Sequence, residues 1–176
     1  MNEVKIEELI SKKAISKRVE ELAEEINHVF GNQPVTIVCV LKGAAIFMAD
    51  LVRHLNFPID IEFMELSSYK GKTSTGEVVL KKDLAEDFDI SGKNVLIIED
   101  IVDTGISLQF ILNLFAAQNP AALKSCVLLD NPHRRKIENM EADFTGFIIP
   151  NKFVVGYGLD YNQDYRQLPY VGVMDQ

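Results

Sequence analysis

Three acidic side chains follow one apolar run near the middle of the chain. The run is Val95 to Ile98 in "VLIIEDIVDTGISL", and Glu99, Asp100 and Asp103 come after it. Carboxylates only accept hydrogen bonds, so they suit hydroxyl groups or a hard cation such as Mg²⁺. An isolated acid pair is more often simply solvated, but this acid-acid-x-x-acid-Thr-Gly-x-Ser pattern after an apolar strand favours a ligand site.

The four residues after Asp103 predict a place for a phosphate. Gly105 can adopt a positive φ, and the first backbone N–H groups of a helix point outward without intrahelical partners. The hydroxyl groups of Thr104 and Ser107 can also donate, although such residues often only cap a helix. A sugar phosphate with vicinal hydroxyls would put its phosphate on this turn and its hydroxyls on the acids. Because the phosphate and the hydroxyls are at different ends of the ligand, the acids would not face the phosphate and repel it.

Composition limits the possible partners. The chain has 176 residues, is 47% hydrophobic and has a net charge of −8. This length predicts a single domain over residues 1–176 with a sizeable core. An acidic chain is a poor general binder of nucleic acid, and no polybasic segment is present to hold an anionic membrane surface.

The two cysteines, Cys39 and Cys126, both lie in apolar runs. We expect buried thiols rather than a disulfide framework. The N-terminal segment is charged and lacks the apolar core of a signal peptide, and no apolar run is long enough to span a membrane. These features predict a cytoplasmic protein.

Hydrophobic periodicity predicts strands that alternate with helices. The first helix has Ile15, Val19, Leu22, Ile26 and Val29 on one side and ends at Gly31; further helices are predicted over 43–54 and 107–117. Short strands are predicted over 35–41, 59–65, 78–81, 95–98, 127–129, 147–149 and 153–155. This alternation is typical of an α/β fold with a parallel sheet, whose ligands bind at the carboxyl ends of the strands.

The segment 95–108 resembles the ribose-phosphate binding motif of type I phosphoribosyltransferases, and its Glu-Asp pair resembles the purine salvage branch. Three more segments resemble that branch: "VLKGAAIF" (40–47) its diphosphate loop, "SSYKGKTSTGEV" (67–78) its mobile hood loop, and the tail from 150 to 173 its purine- and metal-binding segment. Since the four motifs occur in the expected order over nearly the whole chain, it is identified as a member of the hypoxanthine-guanine phosphoribosyltransferase family.

The resemblance implies a fold and a reaction. The fold is a mainly parallel central sheet flanked by helices, with a small hood built from the flexible loop and the terminal segments. The enzyme would transfer the 5-phosphoribosyl group of phosphoribosyl diphosphate to N9 of hypoxanthine or guanine, releasing diphosphate with the help of Mg²⁺. It would act as a homo-dimer or homo-tetramer. The resemblance also implies a cis peptide bond just before Lys42.

The resemblance also implies residue roles. Asp103 would be the general base for purine N7, and Glu99 and Asp100 would face the ribose hydroxyls and Mg²⁺. The 5′-phosphate would lie on Asp103, Thr104, Gly105, Ile106 and Ser107, and the diphosphate on Lys42, Gly43, Ser68, Tyr69 and Arg166. The purine would contact Asn131, Phe153, Val154 and Asp160, and Asp160 would hold a second Mg²⁺. Phe153 and Val154 could instead be core strand residues.

Asn131 departs from the family pattern, which has a lysine there that donates to the purine 6-oxo group. An amide also donates, but it is shorter and uncharged, and a charged donor forms a hydrogen bond roughly twice as strong. We therefore expect a purine preference that differs from that of a lysine-bearing relative. Asn131 could also simply begin a turn before Pro132. The basic run 134–136 is expected to be a solvated surface.

Two alternative functions remain at this point. One is a phosphoribosyltransferase for another base, such as xanthine or a pyrimidine, although the tail "KFVVGYGLDY" argues against a pyrimidine enzyme. The other is a regulatory protein on the same fold that senses phosphoribosyl diphosphate and contacts nucleic acid. Such a protein need not keep Asp103 and would have a basic face, whereas this chain keeps Asp103 and is acidic.

Overall fold

The computed structural model describes residues 5–68, 78–82 and 88–174. The strands are β1 (Ile6–Ile10), β2 (Val35–Leu41), β3 (Ile59–Ser68), β4 (Val78–Lys82), β5 (Asn94–Val102), β6 (Ala122–Asp130), β7 (Phe144–Ile148), β8 (Val154–Val155) and β9 (Val171–Met174). The α-helices are α1 (Lys12–Phe30), α2 (Ala45–Leu51) and α3 (Ile106–Ala116), and short 3-10 helices cover Val52–His54 and Pro132–Arg134.

The main sheet has the order β4-β3-β2-β5-β6-β7 over the described strands. All neighbours run parallel except β4, which pairs antiparallel with β3 at one edge. Because both faces of β2 and β5 are covered, these strands are apolar on successive residues. The predicted parallel α/β fold is confirmed.

Helices α1 and α2 pack on one face of the sheet, and α3 packs on the other. Ser11 caps α1 by accepting a hydrogen bond from the Ala14 N–H at 3.2 Å, and Gly31 ends the helix. The predicted apolar side of α1 is buried except for Val29, which is 51% exposed, and Phe30 is buried in its place. The predicted burial of Cys39 and Cys126 is confirmed.

A second sheet joins the two ends of the described chain. Strand β9 lies between β1 and β8 and pairs antiparallel with both. These terminal segments form the part of the hood that the structure describes. Most of the predicted hood loop, including Tyr69, lies outside the described residues; Ser68 ends β3, and its side chain is also outside the description.

Several predicted boundaries need correction. Helix α2 begins at Ala45 and ends at Leu51, where a 3-10 turn follows, so it is shorter than 43–54. Strand β5 does not stop before the acids; it continues through them to Val102. The terminal strands β1 and β9 were not predicted, because their short alternating sequences have no strong pattern. Among the described residues, no helix is long and apolar enough to cross a membrane.

Candidate active site

Two adjoining cavities open at the carboxyl end of β5. The first, of about 280 Å³, is lined by Val40, Leu41, Lys42, Gly43, Leu66, Glu99, Asp100, Ser107, Asp160 and Arg166. The second, of about 170 Å³, is lined by Asp100, Ile101, Asp103, Asn131, Arg134, Lys152, Phe153, Val154, Leu159 and Asp160. Asp100 and Asp160 line both. We call them the acid-pair cavity and the Asp103 cavity.

The acid pair near the carboxyl end of β5 is held in an environment that disfavours its charge. Glu99 is only 7% exposed, and its Oε2 atom has no hydrogen-bond partner among the described residues. Burial, followed by repulsion from Asp100, raises the pKa of Glu99 to about 8. Burial also raises the pKa of Asp100 to about 6, although hydrogen bonds such as that from the Ile101 N–H at 2.7 Å oppose this shift.

These carboxylates fit a hard cation. Glu99, which is buried, and Asp100, which is half-buried, have raised pKa values and would gain from a divalent ion between them and the solvent. No group of three acidic, histidine or cysteine side chains with metal-ligand spacing occurs in the described part of the chain. Magnesium commonly uses one or two protein carboxylates and takes its other oxygens from water and substrate phosphate. The donor set therefore suits Mg²⁺ that arrives with a phosphorylated ligand.

The turn after β2 forms one wall of the acid-pair cavity. The Leu41–Lys42 peptide bond is cis, as the family resemblance implied. Lys42 is exposed at the cavity, whereas Gly43 is buried. A Cβ atom built on Gly43 would overlap the carboxylate of Asp100, and one on Gly158 would overlap the carbonyl oxygen of Gly43. Both positions therefore require glycine, Gly43 because the Asp100 side chain lies against it and Gly158 because the backbone of residue 43 does.

Asp160 and Arg166, which also line the acid-pair cavity, form an ion pair. Arg166 Nη2 lies 2.8 Å from Asp160 Oδ1, and Nη1 donates to the Gly158 carbonyl oxygen at 2.7 Å. The other carboxylate oxygen of Asp160 accepts from the Gln163 N–H at 2.8 Å. The structure thus brings together two tail residues that the sequence alone does not pair.

The turn from Thr104 to Ser107 joins β5 to α3. Gly105 has φ +84°, which confirms the expected left-handed conformation, and α3 begins at the next residue. The Thr104 hydroxyl oxygen accepts from the Ile106 N–H at 3.4 Å, and Ser107 lines the acid-pair cavity. The start of α3 is thus directed at the same cavity as the acid pair.

Asp103 occupies the second cavity together with a cation. Its Oδ2 atom lies 2.9 Å from Arg134 Nη1, while Oδ1 is buried with no hydrogen-bond partner among the described residues. Burial raises the pKa of Asp103, and the charges of Arg134 and Arg135 oppose that shift. The predicted solvated surface over 134–136 holds for the exposed residues Arg134 and Lys136 but is wrong for Arg135, whose side chain is only 13% exposed.

Arg135 fixes the end of β5 next to the turn over residues 104–107. Its guanidinium pairs with Asp130 and donates to the Asp103 carbonyl oxygen at 2.8 Å. The backbone N–H of Lys136 also donates to the Thr104 carbonyl oxygen at 2.9 Å. Sequence analysis missed these residues because contacts across about thirty positions leave no local pattern; the one available signal was a basic run placed just after a strand.

Two other lining residues of the Asp103 cavity differ in burial: Asn131 is buried, whereas the aromatic ring of Phe153 is partly exposed. Asn131 is 2% exposed, and its Oδ1 atom has no partner within the described residues. Phe153 is 37% exposed and packs edge-on against Tyr161, with ring centroids 5.8 Å apart. Val154 is buried in the core. Both residues line the cavity, but only Val154 is also part of the hydrophobic core.

Comparison with known proteins gives a consistent result. Residues 5–162 match the model of the phosphoribosyl transferase domain. The chain is 46% identical to a hypoxanthine phosphoribosyltransferase of Buchnera aphidicola, over 95% of this chain and 94% of the relative. It is 38% identical to a hypoxanthine-guanine-xanthine phosphoribosyltransferase of Tritrichomonas foetus, over 92% and 87% of the two chains.

A solved structure agrees with these relatives. The hypoxanthine-guanine phosphoribosyltransferase of Bacillus anthracis superposes with a TM-score of 0.90 at 43% identity, covering 97% of this chain and 99% of that one. Sequence, fold and the arrangement of acids at the end of β5 lead to one assignment. The chain belongs to the hypoxanthine-guanine phosphoribosyltransferase branch of the phosphoribosyltransferase family.

Proposed function

We propose that this protein is a purine salvage enzyme that transfers the 5-phosphoribosyl group of phosphoribosyl diphosphate to N9 of hypoxanthine or guanine. The products are IMP or GMP and diphosphate. The observation that supports this most directly is the pair of cavities joined at Asp100 and Asp160, one lined by a phosphate turn and cations, the other by a carboxylate and an aromatic ring.

The acid-pair cavity would hold the phosphorylated substrate. Backbone N–H groups of residues 104–107 and the hydroxyls of Thr104 and Ser107 take the 5′-phosphate, while Glu99 and Asp100 accept from the ribose hydroxyls. Lys42, Gly43 and Arg166 face the diphosphate. Positive charge at Lys42 and Arg166 stabilises the negative charge that diphosphate gains as it departs.

Mg²⁺ would be held by Glu99 and Asp100, with a second ion at Asp160. When bound, it supplies positive charge to the diphosphate oxygens, which makes diphosphate a better leaving group. The unpartnered Oε2 of Glu99 supports this assignment. Removal of divalent ions with EDTA is expected to abolish transfer, and added Mg²⁺ should restore it; full activity in EDTA would contradict the metal assignment.

The Asp103 cavity would hold the purine. Phe153 stacks on the ring, the backbone of Val154 reads its edge, and Asp103 accepts the N7 proton as N9 attacks the sugar. The N–H group of N7 replaces Arg134 as the partner of Asp103, because the guanidinium is half exposed and can turn to solvent. A positioned carboxylate contributes typically about 10²–10⁴-fold to such a proton transfer.

A preference for xanthine is the second candidate, because Asn131 stands where the family has lysine. Its amide donates to the 6-oxo group and its unpartnered Oδ1 can accept from a ring N–H. A site with both a donor and an acceptor can rank the three oxopurines differently from a site with an ammonium group alone.

One experiment separates these functions. The protein is mixed with Mg²⁺ and phosphoribosyl diphosphate, each of hypoxanthine, guanine and xanthine is added in turn, and the ultraviolet difference spectrum is followed. Conversion of hypoxanthine or guanine supports the proposal, and conversion of xanthine in preference supports the second candidate. Silence with all three bases, in protein that binds phosphoribosyl diphosphate by calorimetry, would instead indicate a regulatory protein.

The assembly is part of the same proposal. We infer that residues 1–176 work as one domain, in the cytoplasm, as a homo-dimer or homo-tetramer. Light scattering after size-exclusion chromatography measures the molar mass directly; a mass near the 19.8 kDa of one chain would exclude both oligomers.

A further inference from the structure

A hydrogen bond behind the active site ties α2 to the tail of the chain. The Tyr157 hydroxyl donates to Asp50 Oδ2 at 2.5 Å. Asp50 also forms an ion pair with Arg53, whose Nε donates to the Ala49 carbonyl oxygen at 3.0 Å. Burial and the neighbouring carboxylate raise the pKa of Tyr157, so its hydroxyl stays protonated and remains a donor.

Tyr157 stands next to the tail residues that face the acid-pair cavity. Its neighbour Gly158 donates its N–H to the Arg166 carbonyl oxygen at 3.0 Å and accepts from the Arg166 guanidinium at 2.7 Å. Arg166 in turn pairs with Asp160. The conformation of this short segment therefore sets where Arg166 and Asp160 lie.

A line of close contacts leads from this segment to the acid pair. Gly158 has φ +104°, and a Cβ there would overlap the carbonyl oxygen of Gly43. A Cβ on Gly43 would overlap the carboxylate of Asp100. Such tight packing transmits displacement because it leaves no free space to absorb it. A shift of Tyr157 toward or away from α2 would therefore displace Gly43 and Arg166, which both line the acid-pair cavity.

We propose that Tyr157 and Asp50 are positioning residues for the diphosphate end of the substrate, acting through Gly158, Gly43 and Arg166. This inference rests on the proposed function and adds to it two residues that line another cavity, of about 620 Å³, on the α1 side. Tyr157 and Asp50 line neither active-site cavity. Their loss should therefore weaken phosphoribosyl diphosphate binding much more than purine binding.

The test uses four single variants of the full chain. Tyr157→Phe removes the donor and keeps the ring, and Asp50→Ala removes the acceptor. Asp50→Asn keeps an uncharged acceptor, so it should rescue most of the effect. Arg53→Gln is the matched control, because it removes the ion pair between Asp50 and Arg53 of the following 3-10 helix and leaves the bond between Tyr157 and Asp50 in place.

We expect Tyr157→Phe and Asp50→Ala each to raise the KM for phosphoribosyl diphosphate about tenfold, the scale of one lost hydrogen bond to a charged group. The KM for hypoxanthine should stay within about twofold, and so should both constants in Arg53→Gln. The double variant Tyr157→Phe/Asp50→Ala should be no worse than either single variant, since both remove the same bond.

Hydrogen exchange in the substrate-free protein provides a second readout. Amides of residues 156–168 should exchange faster in Tyr157→Phe, while those of β5 keep the wild-type rate. An unchanged KM for phosphoribosyl diphosphate, an equal loss for both substrates, or additive single variants would overturn the proposal. If the wild-type protein transferred no phosphoribosyl group, the proposed function would fail, and the exchange data would still decide whether Tyr157 holds the tail.

Discussion

Asp103 is the residue whose chemistry is most sharply defined by its surroundings. One of its carboxylate oxygens pairs with Arg134 and the other is buried without a partner among the described residues. Asp103→Asn keeps the shape but cannot accept a proton, so we expect kcat to fall about 10²–10⁴-fold. The KM for phosphoribosyl diphosphate should change little. Steady-state kinetics with each substrate varied in turn measure both constants.

Asp60, an exposed residue of β3, provides the control for that experiment. Asp60→Asn changes the same side chain far from the cavities and should leave both constants at the wild-type values. Equal losses in kcat and in phosphoribosyl diphosphate binding for Asp103→Asn would mean that Asp103 is a binding residue, and the base would have to be sought elsewhere.

A second prediction at the residue scale concerns Asn131. Asn131→Lys adds a charged donor at a position that is 2% exposed at the wall of the Asp103 cavity. We expect the ratios of kcat/KM for hypoxanthine, guanine and xanthine to change, because a cation favours an oxo acceptor over a ring N–H. Competition assays with mixed bases give these ratios directly. Unchanged ratios would show that Asn131 does not determine base preference.

The acid pair makes stability depend on pH. The pKa of Glu99 rises from its ordinary value of 4.5 to about 8 on folding, and that of Asp100 rises from 3.8 to about 6. The folded state therefore binds more protons than the unfolded state between these limits. The stability contribution is fully present below the ordinary values and is lost as pH rises through 6 toward 8.

Urea unfolding in EDTA at pH 5, 6.5 and 8 tests this sign. The free energy of unfolding should fall from pH 5 to pH 8 in the wild-type protein, and Glu99→Gln should make the fall smaller because the amide does not ionise. Glu24→Gln, at an exposed position of α1, should keep the wild-type slope. A wild-type slope in Glu99→Gln would mean that Glu99 does not titrate in this range.

At the scale of elements, the loop after β2 is defined by the space around Gly43. Gly43→Ala would push a methyl group into the Asp100 carboxylate, so we expect activity to fall on the order of 10²-fold through misplacement of the acid-pair cavity. Gly92→Ala provides a contrast, because its Cβ meets nothing within 4 Å but its φ is +69°. That variant should lose stability of about 1–2 kcal/mol and keep its activity.

Activity assays and urea unfolding on the two variants distinguish displacement of the acid-pair cavity, expected in Gly43→Ala, from backbone strain, expected in Gly92→Ala. Loss of stability without loss of activity in Gly43→Ala would contradict the close approach of this loop to Asp100.

The elements that the sequence predicts well are those with a strong local period. Three features are recognisable from neighbouring residues alone: the seven-residue strand β2, which is apolar except for Thr36, the apolar side of α1 and the Gly105 turn. The run of Glu99 and Asp100 within β5 was predicted as a strand end, because charged residues rarely continue a buried strand. Their pairing with β6 continues the strand to Val102, which only tertiary structure could show.

The same distinction between local pattern and tertiary contact applies to the candidate site. Acids, turn and tail were found from motifs, each contained in a short segment of chain. The contacts of Arg134 with Asp103, of Asp160 with Arg166, and of Gly43 with Gly158 depend on how separate segments meet. Side-chain pairing across the fold leaves no periodic trace, so a sequence identifies the residues of a site better than it identifies their partners.

At the scale of the whole molecule, the reactivity of the two cysteine thiols measures whether the protein is folded or unfolded. Cys39 and Cys126 lie in strands of the main sheet, and burial raises the pKa of both thiols, that of Cys39 to about 12. Since the thiolate is the reactive form, iodoacetamide at pH 8 should label neither thiol in the native protein. Both should react in urea. Mass spectrometry counts the labels, and rapid labelling of native protein would contradict the packing of the sheet.

The shared wall at Asp100 and Asp160 makes the two cavities thermodynamically dependent on each other. A ligand that changes the charge or position of these carboxylates in one cavity changes the potential in the other. By linkage, the factor by which bound phosphoribosyl diphosphate alters purine affinity equals the factor by which bound purine alters phosphoribosyl diphosphate affinity. With the two substrates in these cavities as proposed, we expect the carboxylates between them to couple the two binding steps within a single chain.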